Sequence, residues 1–250
     1  MSEDLVSIVM PSFNSAAFID KSIDSVLAQT YKRFELIVVD DGSADDTGEV
    51  LRKYSVLDPR IKVIMFARNR GAAAARNAAI EEAKGRFIAF LDSDDSWSQD
   101  KLQIQIDAGR EGRYPLSCTG YRMLRPDGKA KEVIPPRLIS RRALLAGCDI
   151  GCLTAMMDLA VVGKKIYMRN IKMRQDYLLW IDSIQRGGQV LGIPDVLATL
   201  HMRGGSLSSN KASAAKHQWM AYRRELRLPL LKAGYYFSRY AFHGLRKHIF

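Results

Sequence analysis

Short apolar runs alternate with segments of helical apolar spacing in the first half of the chain. Four runs predict buried strands, at residues 5–10, 34–39, 61–66 and 87–91. Three helices are predicted between them: one on Ile19, Ile23 and Val26, one capped by Asp46 or Thr47, and one at about 71–84 that Gly85 ends. This alternation predicts an α/β fold, a mostly parallel sheet covered by helices on both faces.

Polar clusters follow each predicted strand, at residues 11–14, 40–43, 69–71 and 92–95. Ligands of open parallel sheets bind beyond the carboxyl ends of the strands, so these clusters are expected to line one crevice. The second half of the chain is less regular. It predicts a helix at about 176–186, a strand at 189–193 and a Gly/Ser loop at 204–211.

The net charge of +11 is distributed unevenly. Residues 1–50 contain ten Asp/Glu and three Lys/Arg, whereas residues 211–250 contain nine Lys/Arg and one acid, Glu225. This asymmetry predicts that the acidic end of the chain binds a cation and that the basic end contacts an anionic surface. No segment resembles a nucleic-acid-reading module, so no nucleic-acid partner is expected.

The chain contains no apolar stretch of the roughly 18–20 residues needed to span a bilayer, and no basic and apolar leader. Its three cysteines, Cys118, Cys148 and Cys152, are too few and too irregularly spaced for a disulfide framework or a four-ligand zinc site. We therefore expect reduced thiols in a cytoplasmic protein.

Two acidic clusters contain the strongest candidates for chemistry. Asp92 and Asp94 are spaced to hold Mg²⁺ or Mn²⁺ against a diphosphate, although an Asp cluster can also cap a following helix. In the cluster at 40–43, a carboxylate could accept the imide N–H of a uracil, or the segment could simply form a tight turn.

In order and content, the clusters resemble the motifs of family 2 inverting glycosyltransferases. The matching segments are residues 6–14, 40–43, 69–71 with 75–77, and 90–95. The resemblance implies a Rossmann-like GT-A fold, a nucleoside-diphosphate sugar donor and Mn²⁺ or Mg²⁺. It also implies a catalytic domain at 1–211, with a nucleotide-binding half at 1–95 and an acceptor half at 96–211, followed by a basic, aromatic helical tail at 212–250.

Motif correspondence implies roles for individual residues. Pro11 and Asp41 would contact the nucleoside, Asp92 the ribose and the metal, and Asp94 the metal. Nucleotide contacts are also expected from Ser12, Phe13, Ser93 and Arg76. Arg76 could instead be a structural cation on its alanine-rich helix.

The same resemblance places a catalytic carboxylate at Asp176, preceded by Gln175 where relatives often have Glu. As general base, Asp176 would take the proton of the acceptor hydroxyl as it attacks the anomeric carbon. The structural alternative is that Asp176 caps the helix whose Leu178, Leu179 and Trp180 face the core.

Later motifs extend the resemblance to enzymes of the teichuronic-acid, capsule and O-antigen type, which implies a saccharide or lipid-linked saccharide acceptor. They lie at residues 150–154, 174–176, 206–211, 219 and 222–223. Relatives often have Tyr-Arg where this chain has Leu200 and His201. His201 is a candidate third metal ligand or phosphate donor, or a structural histidine. Arg203, Ser206 and Ser209 belong to a loop suited to closing over the donor, or to an ordinary linker.

The tail interleaves aromatic and basic residues between 217 and 250. Such a segment fits an anionic membrane surface, which would make the protein peripheral at the inner face of the cell membrane. It equally fits helices packed on the core. Among other enzyme classes, a Rossmann dehydrogenase is disfavoured because the first strand is followed by no glycine-rich turn, and a nucleotidyltransferase because no glycine-rich loop with a lysine is present.

Overall fold

The computed structural model describes residues 2–111, 114–184, 188–202 and 211–249. Its strands are β1 (Ser2–Ser12), β2 (Phe34–Asp40), β3 (Ile61–Met65), β4 (Gly85–Phe90), β5 (Ser96–Trp97), β6 (Leu116–Leu124), β7 (Ala130–Val133), β8 (Leu138–Ser140), β9 (Met156–Asp158) and β10 (Gln189–His201). Its helices are α1 (Ile19–Leu27), α2 (Thr47–Leu57), α3 (Ala72–Glu82), α4 (Lys101–Glu111), α5 (Arg141–Ala146), α6 (Leu159–Val162), α7 (Gln175–Ser183), α8 (Lys211–Met220) and α9 (Leu230–Ile249).

Within the described ranges, the strands form one sheet in the order β3-β2-β1-β4-β9-β6-β10-β5, with β7 beside β6 and β8 beside β10. The four strands from β3 to β4 are parallel, and β9 joins this half antiparallel to both β4 and β6. The long pair of β6 and β10 is parallel again. The predicted mostly parallel α/β sheet is thus confirmed.

Helices cover both faces of the sheet because its central strands are apolar on both sides. Successive residues of β1 point in opposite directions, so Val9 belongs to one core and Ile8 and Met10 to the other. α3 and α7 lie on the face of Val9, and α1 and α4 on the face of Ile8. This arrangement leaves the carboxyl ends of the strands for a ligand.

Gly85 does not end α3 as predicted but begins β4. Ala83 is the residue after the helix, and its extended backbone leads directly into the strand. Gly85 is required for the close approach of β1: its N–H donates to Ser7 Oγ at 2.8 Å, and a Cβ would lie 2.4 Å from the carbonyl oxygen of Leu5.

Other predicted boundaries also differ. β10 continues through His201 rather than stopping near residue 193, because a register shift between Ile193 and Val196 absorbs Pro194 and pairing with β6 then resumes. At α2, Asp46 occupies the N-cap position without a side-chain bond, and Asp45 Oδ1 instead accepts from the Thr47 N–H at 3.1 Å. Asp46 is therefore the N-cap residue, as predicted, but the capping hydrogen bond comes from Asp45.

A buried network fixes the turn at Cys152–Thr154 against α4. The indole Nε1 of Trp97 donates to the Leu153 carbonyl at 2.7 Å, and Gln105 Nε2 donates to the Thr154 carbonyl at 3.1 Å. The fully buried Lys101 donates to Gln105 Oε1 and lies 4.1 Å from the centroid of the Trp97 ring. Burial lowers the pKa of Lys101 to about 7. The turn is thus held rigidly, which matters because it lines the cavity described next.

No helix in the described segments combines the length and the apolar character needed to cross a bilayer.

Candidate active site

A cavity of about 780 Å³ opens at the carboxyl ends of β4 and β10, between α3, α7 and the C-terminal helices. Three of the predicted site residues, Arg76, Asp92 and Asp176, line it. The remaining wall comes from the other parts of the chain: Ala72, Asp95, Gly151, Cys152, Leu153, Lys172, Met173, Arg174, Gln175, Leu200, Ala214, Ala215, Phe237, Tyr240, Ala241 and Gly244. The fold thus brings the acidic motif after β4 and the predicted base into one space, although 84 positions separate Asp92 from Asp176.

Arg76 and Asp92 form an ion pair in this cavity. Arg76 Nη2 donates to Asp92 Oδ1, and the Asp92 side chain remains 31% exposed while that of Arg76 is 11% exposed. Burial alone would lower the pKa of Arg76, but the Asp92 carboxylate and, further away, Cys152 and Asp176 raise it on balance. Arg76 is therefore a permanent cation beside the acidic motif.

Asp176 lies in the first turn of α7, and the structure argues against its being the helix cap. The N-cap position belongs to Arg174, and the Asp176 carboxylate accepts only from the adjacent Tyr177 N–H at 2.8 Å among the bonds resolved for it. The five residues that follow, Tyr177 to Ile181, are buried and pack the helix against the core. Leu178, Leu179 and Trp180 are among them, as predicted.

In the segment at 40–43, both aspartates accept hydrogen bonds from backbone N–H groups. Asp40 accepts from the Ser43 N–H at 3.3 Å, while Asp41 accepts from the N–H groups of Arg70 and Gly71 at 2.6 and 2.8 Å. Gly71 has a φ of 91°, which favours glycine at this position. Asp41 thus orders the loop before α3, and a carboxylate with about four lone-pair positions retains capacity for another donor.

The end of β1 presents an exposed aromatic side chain. Phe13 is 47% exposed, and the turn after it is fixed because Asn14 N–H donates to Ser43 Oγ at 2.8 Å and Asn14 Oδ1 accepts from Ala44 N–H at 2.9 Å. Pro11 and Ser12 are buried within β1. This edge is adjacent to the turn at Asp40 because Ser12 pairs with Asp40 in the sheet.

Ser93 has structural partners. Its hydroxyl bonds that of Ser15 at 2.8 Å, and its carbonyl accepts from Ser22 Oγ at 2.8 Å. These contacts fasten the acidic motif to the start of α1. The segment after the motif is the short strand β5 rather than a helix, so Asp92 and Asp94 do not cap one.

Asp95 is a wall residue that the sequence did not single out. It is buried, and its Oδ1 accepts from the His201 N–H at 3.0 Å, which joins the acidic motif to the end of β10. The sequence feature that could have identified Asp95 is its position as the last of the acidic residues after β4. Neither His201 nor Asp94 contributes to the cavity wall in the described residues.

The donor atoms present suit a divalent cation only together with an anionic ligand. In the part of the chain that the structure describes, no three His, Cys, Asp or Glu side chains group as metal ligands, so His201 does not complete a protein-only site with Asp92 and Asp94. Mg²⁺ and Mn²⁺ are commonly held by one or two carboxylates, with substrate phosphates supplying further oxygens.

The C-terminal helices form one side of the cavity. α8 contributes Ala214 and Ala215, and α9 contributes four residues, Phe237, Tyr240, Ala241 and Gly244. Trp219 packs edge-on against Phe237 with 5.4 Å between ring centroids, and the buried Tyr222 donates to the Leu145 carbonyl at 2.5 Å. The inner face of the tail is therefore packed on the core.

Of the three cysteines, Cys152 lines this cavity. All three cysteines are free, as expected. Burial raises the pKa of Cys148 to about 12 and raises the pKa of Cys152 as well, which keeps both thiols protonated at neutral pH. The predicted loop residues Arg203, Ser206 and Ser209 lie outside the described residues.

The family model "Glycosyl transferase family 2" matches residues 7–142 of this chain. TuaG of Bacillus subtilis, a glycosyltransferase named for teichuronic acid biosynthesis, is 40% identical over 98% of both chains. WfgD of Escherichia coli, named as a UDP-Glc:alpha-D-GlcNAc-diphosphoundecaprenol beta-1,3-glucosyltransferase, is 35% identical over 100% of this chain and 97% of its own.

Two solved structures share the fold. The Staphylococcus aureus TarS fragment in complex with UDP-GlcNAc has a TM-score of 0.69 at 20% identity; the match covers 88% of this chain and 66% of that one, so this chain spans about two thirds of the fragment. The mannosyltransferase PcManGT from Pyrobaculum calidifontis, in complex with GDP-Man and Mn²⁺, has a TM-score of 0.69 at 18% identity, over 93% and 69% of the chains. The family match and the full-length relatives establish that this chain belongs to glycosyl transferase family 2 and is a glycosyltransferase of the GT-A fold.

Proposed function

We propose that the protein transfers a sugar, with inversion, from a UDP-sugar to a hydroxyl of a saccharide or lipid-linked saccharide during the synthesis of a cell-surface polysaccharide. The observation that carries this proposal is that Asp176 and the Asp92–Arg76 pair face one cavity. A carboxylate base on one side and a diphosphate-binding motif on the other are the two parts that a single displacement requires.

In the proposed reaction, the Asp176 carboxylate accepts the proton of the acceptor hydroxyl. The acceptor oxygen forms a bond to the anomeric carbon while the bond between that carbon and the diphosphate oxygen breaks, and UDP leaves with the electron pair. Because attack comes from the face opposite the leaving group, an α-linked donor gives a β-linked product. The protein would also hold both reactants in line within the cavity.

The relatives support the substrate classes. The name of WfgD specifies a UDP-sugar donor, a diphosphoundecaprenol-linked acceptor and a β-linked product, and TuaG is named for a cell-surface polymer. In this chain, Phe13 and Pro11 would contact the nucleoside, Asp41 would accept from the uracil imide, and Ser12 and Ser93 would contribute further nucleotide contacts. These assignments are part of the proposal.

We propose that Asp92 and Asp94 hold Mn²⁺ or Mg²⁺ through the donor's diphosphate. When bound, the cation would neutralise negative charge that develops on the leaving diphosphate. Arg76 supplies a fixed positive charge to the same oxygens. His201 would act through its backbone contact with Asp95 rather than as a ligand.

UDP binding is expected to require a divalent cation and to weaken by roughly 10- to 100-fold in Asp92→Asn and Asp94→Ala, the loss typical of one charged contact. Calorimetric titration of UDP with Mn²⁺ and with excess EDTA measures this. Asp127→Ala, on an exposed loop, is the matched control and should bind UDP normally. Unchanged UDP affinity in EDTA would remove the cation from the proposal.

We also propose that the outer face of α9 rests on the anionic inner surface of the cell membrane. Leu231, Tyr235 and Phe242 are 88, 58 and 61% exposed and lie at spacings of four and seven residues, which places them along one side of the helix. Lys232 and Arg239, both exposed, lie beside this stripe. An apolar stripe with basic flanks is suited to a headgroup surface.

Replacing Leu231, Tyr235 and Phe242 together by serine is expected to abolish flotation with anionic vesicles at low salt, while UDP binding persists. Truncation of the tail is a poor test because α9 forms part of the cavity wall. The control replaces two exposed apolar residues of α2, Val56 and Leu57, by serine. Equal flotation of the triple variant and the wild type would show that this face does not bind the membrane.

A further inference from the structure

Two cationic side chains besides Arg76 line the cavity. Lys172 and Arg174 belong to the segment that leads into α7, and both contribute to the wall. A second cavity of about 190 Å³ adjoins the first and shares Arg174, Tyr240 and Gly244 with it. Arg174 thus lies where the two spaces meet.

Arg174 is held in a specific and unfavourable conformation. Its φ of 71° and ψ of 21° lie in the left-handed region, which L side chains rarely adopt. Its Nη2 donates to the Tyr240 hydroxyl at 2.6 Å, and the guanidinium carbon lies 5.3 Å from the centroid of the Tyr240 ring. The tail helix therefore aims this guanidinium along the cavity wall.

Neither side chain forms a close ion pair in the described part of the chain. The ion pairs there involve neither Arg174 nor Lys172, and Arg174 Nε is buried without a hydrogen-bond acceptor. A partly buried cation with an unused donor is costly unless a ligand supplies the acceptor. The arrangement therefore indicates an anionic ligand.

The cations of the cavity have different partners. Arg76 is paired with Asp92, whereas Arg174 bonds Tyr240 and also lines the second cavity. A donor diphosphate at Asp92 and Arg76 leaves Arg174 and Lys172 to a second anion.

Building on the proposed transfer, we propose that Lys172, Arg174 and Tyr240 bind the phosphate of the acceptor. The acceptor would then be a sugar attached directly to a diphosphate, with the sugar beside Asp176 and the diphosphate at the junction of the two cavities. Arg174 offers planar paired donors and Lys172 a mobile point charge, the combination suited to phosphate oxygens. Binding of the acceptor's phosphate would thereby position the sugar hydroxyl relative to Asp176.

Two probes test this proposal: an N-acetylglucosaminyl diphosphate with a short alkyl chain, and the octyl glycoside of the same sugar, which has no phosphate. Binding of each is measured by calorimetry in the presence of UDP. Arg174→Gln is expected to raise the Kd of the diphosphate probe by about 10- to 100-fold and Lys172→Gln by a smaller factor, with the Kd of the neutral probe and of UDP unchanged.

Matched variants separate the phosphate contact from other effects. Lys53→Gln removes an exposed lysine on α2 and should change nothing, whereas Arg174→Lys should restore part of the affinity. Melting temperatures show whether each variant folds. If Arg174→Gln does not fold, Lys172→Gln is used for the test, because Lys172 is exposed.

Three results would overturn the inference. A raised Kd for UDP would assign these cations to the donor, an equal loss for both probes would show that Arg174 only positions α7, and equal affinity of the wild type for both probes would show that phosphate is not recognised. Failure of the wild type to bind UDP would instead count against the proposed function.

Discussion

Replacing Asp176 by asparagine is expected to lower the rate of sugar transfer by about 10²–10⁴-fold while UDP binding is retained. Asparagine has nearly the same size and can still accept from the Tyr177 N–H, but it cannot take the proton of the acceptor hydroxyl. The deficit should therefore appear in kcat. Release of UDP in the presence of acceptor, measured beside UDP affinity and melting temperature on one preparation, checks this.

Asp182→Asn is the matched control for this experiment. Asp182 lies two turns further along the same helix and pairs with Arg169 at 2.9 Å, outside the cavity wall. Its loss should lower the melting temperature slightly and leave kcat near that of the wild type, since exposed pairs contribute little. A stable Asp176→Asn protein with normal turnover would remove Asp176 from the mechanism.

Replacing Trp180 by alanine is expected to reduce the free energy of unfolding by about 3–5 kcal/mol, because it opens a large cavity in the core. Trp180 is fully buried and packs edge-on against Phe90 with 5.2 Å between ring centroids. That contact joins the helix of Asp176 to β4, the strand that ends two residues before Asp92. Urea denaturation followed by circular dichroism measures the loss.

Two comparisons sharpen the result. Trp180→Phe keeps an aromatic ring against Phe90 and should cost clearly less, and Trp219→Ala, at a half-buried position on α8, should also cost less. If alanine at 180 costs under about 1 kcal/mol, the contact does not anchor α7 to the sheet as the packing indicates.

The first half of the fold was predictable from sequence because its strands are continuous apolar runs and its helices are amphipathic. Boundaries were wrong where long-range contacts decide them. Gly85 has the usual features of a helix end, yet the backbone of β1 makes it a strand residue. Pro194 interrupts the apolar pattern of β10, and only pairing with β6 shows that the strand continues.

The candidate site, like the fold, was predicted only in part from the sequence. Asp92, Arg76 and Asp176 were identified from the family resemblance, and they lie in one cavity. The contact between Arg174 and Tyr240 was not predictable, because a helix 66 positions further along supplies the hydroxyl. Neither residue belongs to a motif whose spacing indicates that contact.

The position of α9 in the cavity wall has a consequence for synthesis on the ribosome. Chains emerge from the amino terminus at about 5–20 residues per second, and early segments can fold before later ones exist. The parallel strands β1 to β4 end by Phe90 and need nothing from the tail to pair. The cavity is not complete until Tyr240 and Gly244 have been added. Nascent chains should therefore pair the strands of this parallel sheet long before the wall of the cavity is complete, and a stalled chain would contain the first without the second.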